Sequence, residues 1–271
     1  VTSQAAPLAR ADLTFSHVAG RTHLMRQMTP HPFHITRPFH HPGDPDGMAT
    51  LYLQSSAGGL YGDDDLDLTV RIGPGAAAHV TTQASTLVHD ARGRAGATQK
   101  VMLEVAEGGW LEYLPDPAIL MAGARLRSRV HANLGQSAVL ILSDAQLSHD
   151  PQGAGRPFGW LDSEVAVSGP SGPLMIDRFD LCGQDWPTRT GGFRCSGMML
   201  VAGDLRAGPA MAEAAETVPG VYAGLSTLTD RRISLLRFLA ADGVALGGAL
   251  KSIWAAARVA LTGRSPAARR K

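Results

Sequence analysis

The chain has 271 residues, of which 44% are hydrophobic and only 18% charged, and its net charge is +1. A length of this kind suits one large domain or two small ones, and so even a charge balance supplies no global field that would drive binding to nucleic acid. The two cysteines, Cys182 and Cys195, have no C-x-x-C spacing, which excludes a disulfide scaffold and a thiolate zinc site.

With 31 glycines and 17 prolines, the chain is expected to build many short elements joined by tight turns. Its first residues lack the charged and apolar stretches of a signal peptide. The longest apolar runs, such as 138-AVLIL-142, are far shorter than the roughly 18 residues that span a bilayer. The expectation is a cytosolic protein with no membrane contact.

In chain order, 31-HPFHITRPFHHPGDPDG-47 reads as an irregular loop with a short strand near 33–37. His31, His34, His40 and His41 are candidate ligands for nickel or zinc, since imidazole suits such borderline metals. No helical H-x-x-x-H or cysteine partner fixes their geometry. Next comes 56-SAGGLYGDDDLDLTVRIGPGAAAHVTTQAST-86. Leu66, Leu68, Val70 and Ile72 alternate with Asp67, Thr69 and Arg71, the period of a half-buried strand. Gly73-Pro74-Gly75 then turns the chain, and Ala76, Ala78 and Val80 resume the alternation.

The same pattern recurs at 101–105 with 111–113, at 126–134 with 138–142, and at 164–167 with 174–176. These segments predict a mainly β fold of antiparallel hairpins, arranged as a sandwich, a barrel or a helix-like β stack. No fixed repeat of 20–25 residues is visible, which argues against a regular parallel solenoid. The C-terminal part is expected to be a small α-helical portion. One helix is read over 230–240, and a second over 245–262 carries an apolar stripe of Leu246, Leu250, Ile253, Trp254, Ala257 and Leu261. A basic tail, 264-RSPAARRK-271, follows. The chain is read as one domain over 1–271, β-rich to about 228, helical over about 229–262, with the tail from 263.

Asp63, Asp65 and Asp67 imitate the first ligands of an EF-hand, but Leu68 stands where the loop needs Gly and Pro74 where it needs Glu. A glycosidase needs a second carboxylate facing the first across a cleft; Glu112 and Asp116 are the available ones, in a chain with only 6% aromatics. There is no G-x-S-x-G, Walker A or G-x-G-x-x-G motif.

The ordered series 57-AGGLYGDDDLDL-68, 73-GPGAAAHVTTQAST-86, 111-LEYLPDPAIL-120 and 174-LMIDRFDL-181 resembles the urease accessory protein family UreD, also called UreH. Leu236-Arg237 and 251-KSIWAAAR-258 fit the same family. The correspondence runs in order through most of the chain and is weakest in the first fifty residues and over 143–163.

The resemblance implies a β fold wound into a helix-like stack with a small helical part, and a non-enzymatic role. It implies a scaffold that binds urease apoprotein and UreF, with the GTPase UreG held through UreF, and a passage for nickel to the urease active site. No cofactor is expected to be tightly bound, and Ni²⁺ is held only transiently. A conduit of this kind needs oxygen ligands that release the ion, so Asp63, Thr81, Thr82, Gln83, Glu112 and Asp116 are the residues expected to line it. An exposed apolar partner surface is expected to include Met198, Met199, Leu246, Leu250 and Trp254.

Two positions depart from the family pattern: Leu87 stands where a basic residue is common, and Trp160 where Glu is common. The second departure shifts the expected path to Asp162 or Glu164. Two rival readings are a carbohydrate-active β enzyme using Asp63–Asp67 with Asp116, and a metal-binding module built on the 31–41 histidines.

Overall fold

The computed structural model describes residues 8–45 and 47–267, so the last four residues of the basic tail lie outside it. The first part of the chain supplies β1 (Ala9–Val18), β2 (Arg21–Met28), β3 (Phe33–Ile35) and β4 (Ala49–Ser55). Then come β5 (Asp65–Ile72), β6 (Ala77–Thr82), β7 (Thr86–Val88), β8 (Ala97–Val105) and β9 (Trp110–Leu114). They are followed by β10 (Ala118–Met121), β11 (Arg125–Leu134), β12 (Val139–His149) and β13 (Trp160–Gly169). The last part holds β14 (Gly172–Cys182), α1 (Trp186–Arg189), β15 (Cys195–Ala202), α2 (Ala207–Glu216), β16 (Val221–Leu228), β17 (Ile233–Ala240) and α3 (Gly243–Thr262).

These elements form a mainly β, helix-like stack: a β-solenoid of about 4 turns with a C-terminal helix. One sheet runs β14-β13-β11-β8-β5-β1-β2, and the facing ten-stranded sheet runs β16-β17-β15-β12-β9-β6-β4-β3, with β10 joined to β12 and β7 joined to β10. Between them lies the main apolar core, built by the inward side chains of both sheets, among them Leu13, Val70, Leu103, Leu111, Leu140 and Val167.

The hairpin reading of the individual turns is corrected. Gly73-Pro74-Gly75 does not return β6 beside β5; it carries the chain across to the opposite sheet. The neighbours of β5 are β1 and β8, both parallel to it, and β8–β11 and β11–β13 are parallel too. Of the expected hairpins, the one over 164–176 forms as an antiparallel pair, β13 with β14. The solenoid escaped detection because its rungs are uneven. Asp65, Thr98, Arg127 and Asp162 stand side by side in successive strands, although 33, 29 and 35 residues separate them.

The helix expected over 230–240 is the strand β17. It lies between β15 and β16 and is buried on both faces, with Ile233 and Leu235 toward the main core and Leu236 and Phe238 toward the helices. Such a strand reads as an unbroken apolar run, which periodicity does not separate from a buried helix. The later helix is present as α3. Asp242 caps it, its Oδ1 accepting from the amides of Val244 and Ala245, each at 2.9 Å. Gly263, at φ +70°, ends it.

By length and composition α3 is apolar enough to cross a membrane, yet its stripe packs with β15 and β17 in a second core. This packing also corrects the expected partner surface. Met199, Leu246 and Trp254 are buried beneath or within the helical layer, Leu250 is half-buried against it, and Met198 points into the space between the sheets. Cys182 is an exposed free thiol and Cys195 a buried one.

Candidate functional site

Successive residues of a strand point to opposite faces, so one inward side chain fixes the parity of the rest. On β12, Leu140 and Leu142 belong to the main core; Asp144 and Gln146 follow with the same inward parity. Ser163 on β13, Asp177 on β14 and Arg237 on β17 share parity with Val165, Met175 and Leu235 of that core. One part of the interior is therefore packed hydrocarbon, and the other sets polar side chains among apolar ones.

This mixed part is open. A cavity of about 470 Å³ is bounded by the polar Gln54, Thr82, Gln83, Gln99, Asp116, Asp144 and Gln146 and by apolar side chains that include Leu60, Leu68, Val101 and Val130. A wider groove of about 810 Å³ is bounded by Asp144, Gln146, Ser163, Asp177, Tyr222 and Arg237. Asp144 and Gln146 stand in both walls.

Asp144 is the central charge of this track. Burial raises its carboxyl above the ordinary carboxylate range, and the like charge of Asp177 adds to the rise, while the Ser163 hydroxyl and Gln146 oppose it. Ser163 Oγ donates to Asp144 Oδ2 at 3.2 Å. Asp177 is paired with the Arg237 guanidinium. A divalent cation beside Asp144 would offset both the desolvation and the repulsion. Among the described residues no group of three or more His, Cys, Asp or Glu is placed to hold a metal ion. The track therefore offers carboxylate, amide and hydroxyl oxygens that suit brief contact with a hard or borderline cation.

The structure divides the residues singled out in the sequence. Thr82, Gln83 and Asp116 are in the cavity wall. Gln54 Nε2 donates to Gln83 Oε1, and Thr82 Oγ1 accepts from the Asp116 amide at 2.8 Å. Thr81 and Glu112 have the opposite parity and do not face the cavity. Thr81 Oγ1 donates to the Leu114 carbonyl at 2.6 Å.

Glu112 is fully buried on the outer face of its sheet, beneath α3. It lies 2.7 Å from His79 Nδ1, accepts from Trp254 Nε1 at 3.0 Å, and is clasped by Arg258, which also reaches Asp44 at 3.0 Å. Asp63 belongs to a turn: its φ is +72° and its Oδ1 accepts from the Ala95 amide at 3.1 Å. Asp64 accepts from the Tyr61 amide. Asp65 and Asp67 point outward to Lys100.

The carboxylates expected of a carbohydrate enzyme are thereby parted, since Asp116 faces the interior and Asp65 and Asp67 face out. Trp160, Asp162 and Glu164 also have outward parity, so the path does not shift to them. Asp162 is held by Arg127 and Arg129, and Glu164 by His131. Leu87 is in the cavity wall, and its carbonyl accepts from the Leu60 amide.

The four loop histidines go to separate partners. His31 is hydrogen-bonded to Ser56, His34 donates to Gln54 Oε1, His40 donates to the Thr22 carbonyl, and His41 meets Phe39 edge-on.

The UreD urease accessory protein model matches residues 8–271. The chain belongs to the UreD family of urease accessory proteins. It is 41% identical to urease accessory protein UreD 1 of Methylorubrum populi, over 98% of this chain and 94% of that protein. It is 37% identical to UreD 1 of Pseudomonas syringae pv. tomato, over 97% and 95%. With UreD 1 of Bradyrhizobium sp. BTAi1 the identity is 35%, over 96% and 94%. UreD proteins serve urease maturation, and that role implies partners in the maturation process.

In this UreD chain the interior residues that the sequence reading missed are Asp144, Gln146, Ser163 and Asp177. The signal is in the sequence: the alternation expected over 138–142 does not stop there, and β12 continues to His149. Carrying its parity on by two steps places Asp144 and Gln146 inside.

Proposed function

We propose that this UreD chain is a non-enzymatic urease maturation factor that lets Ni²⁺ pass through the interior of its solenoid, as cargo, toward the urease active site. The chain acts in the cytosol as a scaffold between urease apoprotein and UreF, with UreG engaged through UreF. The supporting observation is the polar track between the sheets, in which Asp144 stands in the walls of both cavities. An acidic residue kept between apolar strands against its own desolvation is a mark of function more than of stability. Neutral oxygens from Thr82, Gln83 and Gln146 suit an ion that is handed on.

The test is nickel-dependent activation of urease apoprotein by purified UreD with UreF and UreG. The wild-type chain is expected to co-purify with UreF and to support activation, whereas Asp144→Asn should co-purify equally and activate severalfold less. Full activation by Asp144→Asn would refute passage along this track. Failure of the wild-type chain to bind UreF would refute the scaffold.

A further inference from the structure

Along their main paths the two large sheets of the solenoid end in four edge strands, β2 and β14 in one and β3 and β16 in the other, and the side branch through β10 ends in the three-residue β7. An edge strand carries a row of unpaired amides and carbonyls, and proteins protect such rows with charge, proline, bulges or brevity. Three of the four edges are protected in these ways. β2 carries Arg21, His23 and Arg26, and its pairing with β1 is broken by a register shift. β14 carries Pro173, Asp177, Arg178 and Asp180, and its pairing is also shifted. β3 has three residues.

β16 has none of these devices. Its sequence, VYAGLSTL, contains no charge and no proline, and it pairs with β17 in unbroken register over all 8 residues. Side chains of both parities are exposed, including Tyr222 at 69%, Leu225 at 36% and Leu228 at 37%. This is an open template for strand addition.

We propose that β16 pairs with β16 of a second copy of this chain, antiparallel across a two-fold axis, so that the ten-stranded sheets of two molecules become continuous. The uncharged strand brings no like charges together at the seam. The charges at its two ends select the occupant. Exposed Glu213 and Glu216 precede the strand, whereas exposed Asp230, Arg231 and Arg232 follow it, so one end carries a net charge of −2 and the other +1. In an antiparallel two-fold pairing, the basic end of each copy falls beside the acidic end of the other, the self-complementarity that an isologous interface requires. A parallel arrangement would set like charges together. The inference rests on the strand edges alone and is independent of nickel passage.

The test is sedimentation velocity of the full chain across a range of micromolar concentrations, with hydrogen exchange of the β16 amides measured alongside. A monomer–dimer equilibrium is expected, with β16 protection rising with concentration. Ser226→Lys with Leu228→Lys adds charge at exposed positions and should weaken the dimer by at least about ten-fold, with no change in the denaturation midpoint of the monomer. Glu216→Arg or Arg231→Glu alone should weaken it, and the two together should restore it. A monomer at every concentration overturns the proposal. So does a dimer indifferent to the lysines, a double charge swap that fails to restore it, or β16 protection that arises only when a different protein is bound.

Discussion

Glu112 on β9 and Arg258 on α3 lie 146 residues apart in the chain and form an ion pair from which solvent is wholly excluded. The pair is not isolated. His79, Trp254 and Asp44 satisfy further donors and acceptors around it, and His79 stacks on Trp254 with ring centroids 5.0 Å apart. It fastens the helical layer to the outer face of the solenoid, while the opposite face of the same strands borders the cavity.

Removing one partner of such a pair leaves a buried charge without compensation. Arg258→Met is therefore expected to destabilise the fold by about 3–5 kcal/mol. Adding Glu112→Leu in the same chain should recover a substantial part of that loss, because the orphaned carboxylate is gone. Urea denaturation of the two single variants and the double variant measures the coupling. Simple additivity of the two losses would show that the pair does not act as a unit.

The same carboxylate gives a pH dependence. Burial pushes the Glu112 pKa up, but the hydrogen bond to His79 and the charge of Arg258 outweigh it and hold the value at about 2, below the ordinary 4.5. A depressed carboxylate pKa contributes stability that is fully present above the unfolded value and is lost as pH falls through the folded one. Its contribution, about 3 kcal/mol by linkage, should thus fade between about pH 4.5 and pH 2. Denaturation midpoints through that range should fall more steeply for the wild type than for Glu112→Gln.

Asp144 behaves in the opposite sense. Its carboxyl is raised by burial and by the charge of Asp177, so the folded chain holds that proton more tightly than the unfolded chain does. Stability then falls as pH rises through the window between the unfolded and folded values, and the loss persists above it. Asp144→Asn should accordingly raise the melting temperature at neutral pH while lowering urease activation. A variant that loses both stability and activation would mark Asp144 as a structural residue.

Gly59 is the residue of the 57-AGGLYGDDDLDL-68 motif least able to change. Its φ is +137°, and a Cβ there would lie 2.5 Å from the Leu87 carbonyl oxygen and 2.8 Å from His89 Nε2. Gly59→Ala is expected to cost about 1–3 kcal/mol and to disturb the cavity wall that Gly59 shares with Leu87. Gly75, with φ +63° and open space around its Cβ position, should lose less by the same change. Thermal melts of the two variants side by side make the comparison.

Much of the strand content was legible, because a two-residue period is a property of the backbone and shows wherever one face is buried. The alternation at 66–72 became β5, and the continuation of β12 past residue 142 was readable by the same rule. Glu112 illustrates what was not. Its parity opposite Leu111 and Tyr113 was plain, yet the sequence did not say which of the two faces was the interior. A carboxylate on a β strand looks the same whether it borders a channel, meets water or lies under a helix.

By itself the sequence determined the family, the mainly β composition, the turns at glycine and proline, and the C-terminal helix with its apolar stripe. All of these rest on local conformational preferences or on motifs preserved in order. Only the tertiary structure decided that the chain crosses between two sheets at its glycine turns, that 233–240 is a strand, and that Glu112 is roofed by α3 while Asp144 borders the cavities. The physical reason is that strand partners in a parallel solenoid are some thirty residues apart, at uneven spacing. The face a polar residue meets is then set by contacts between distant segments, which no local period records.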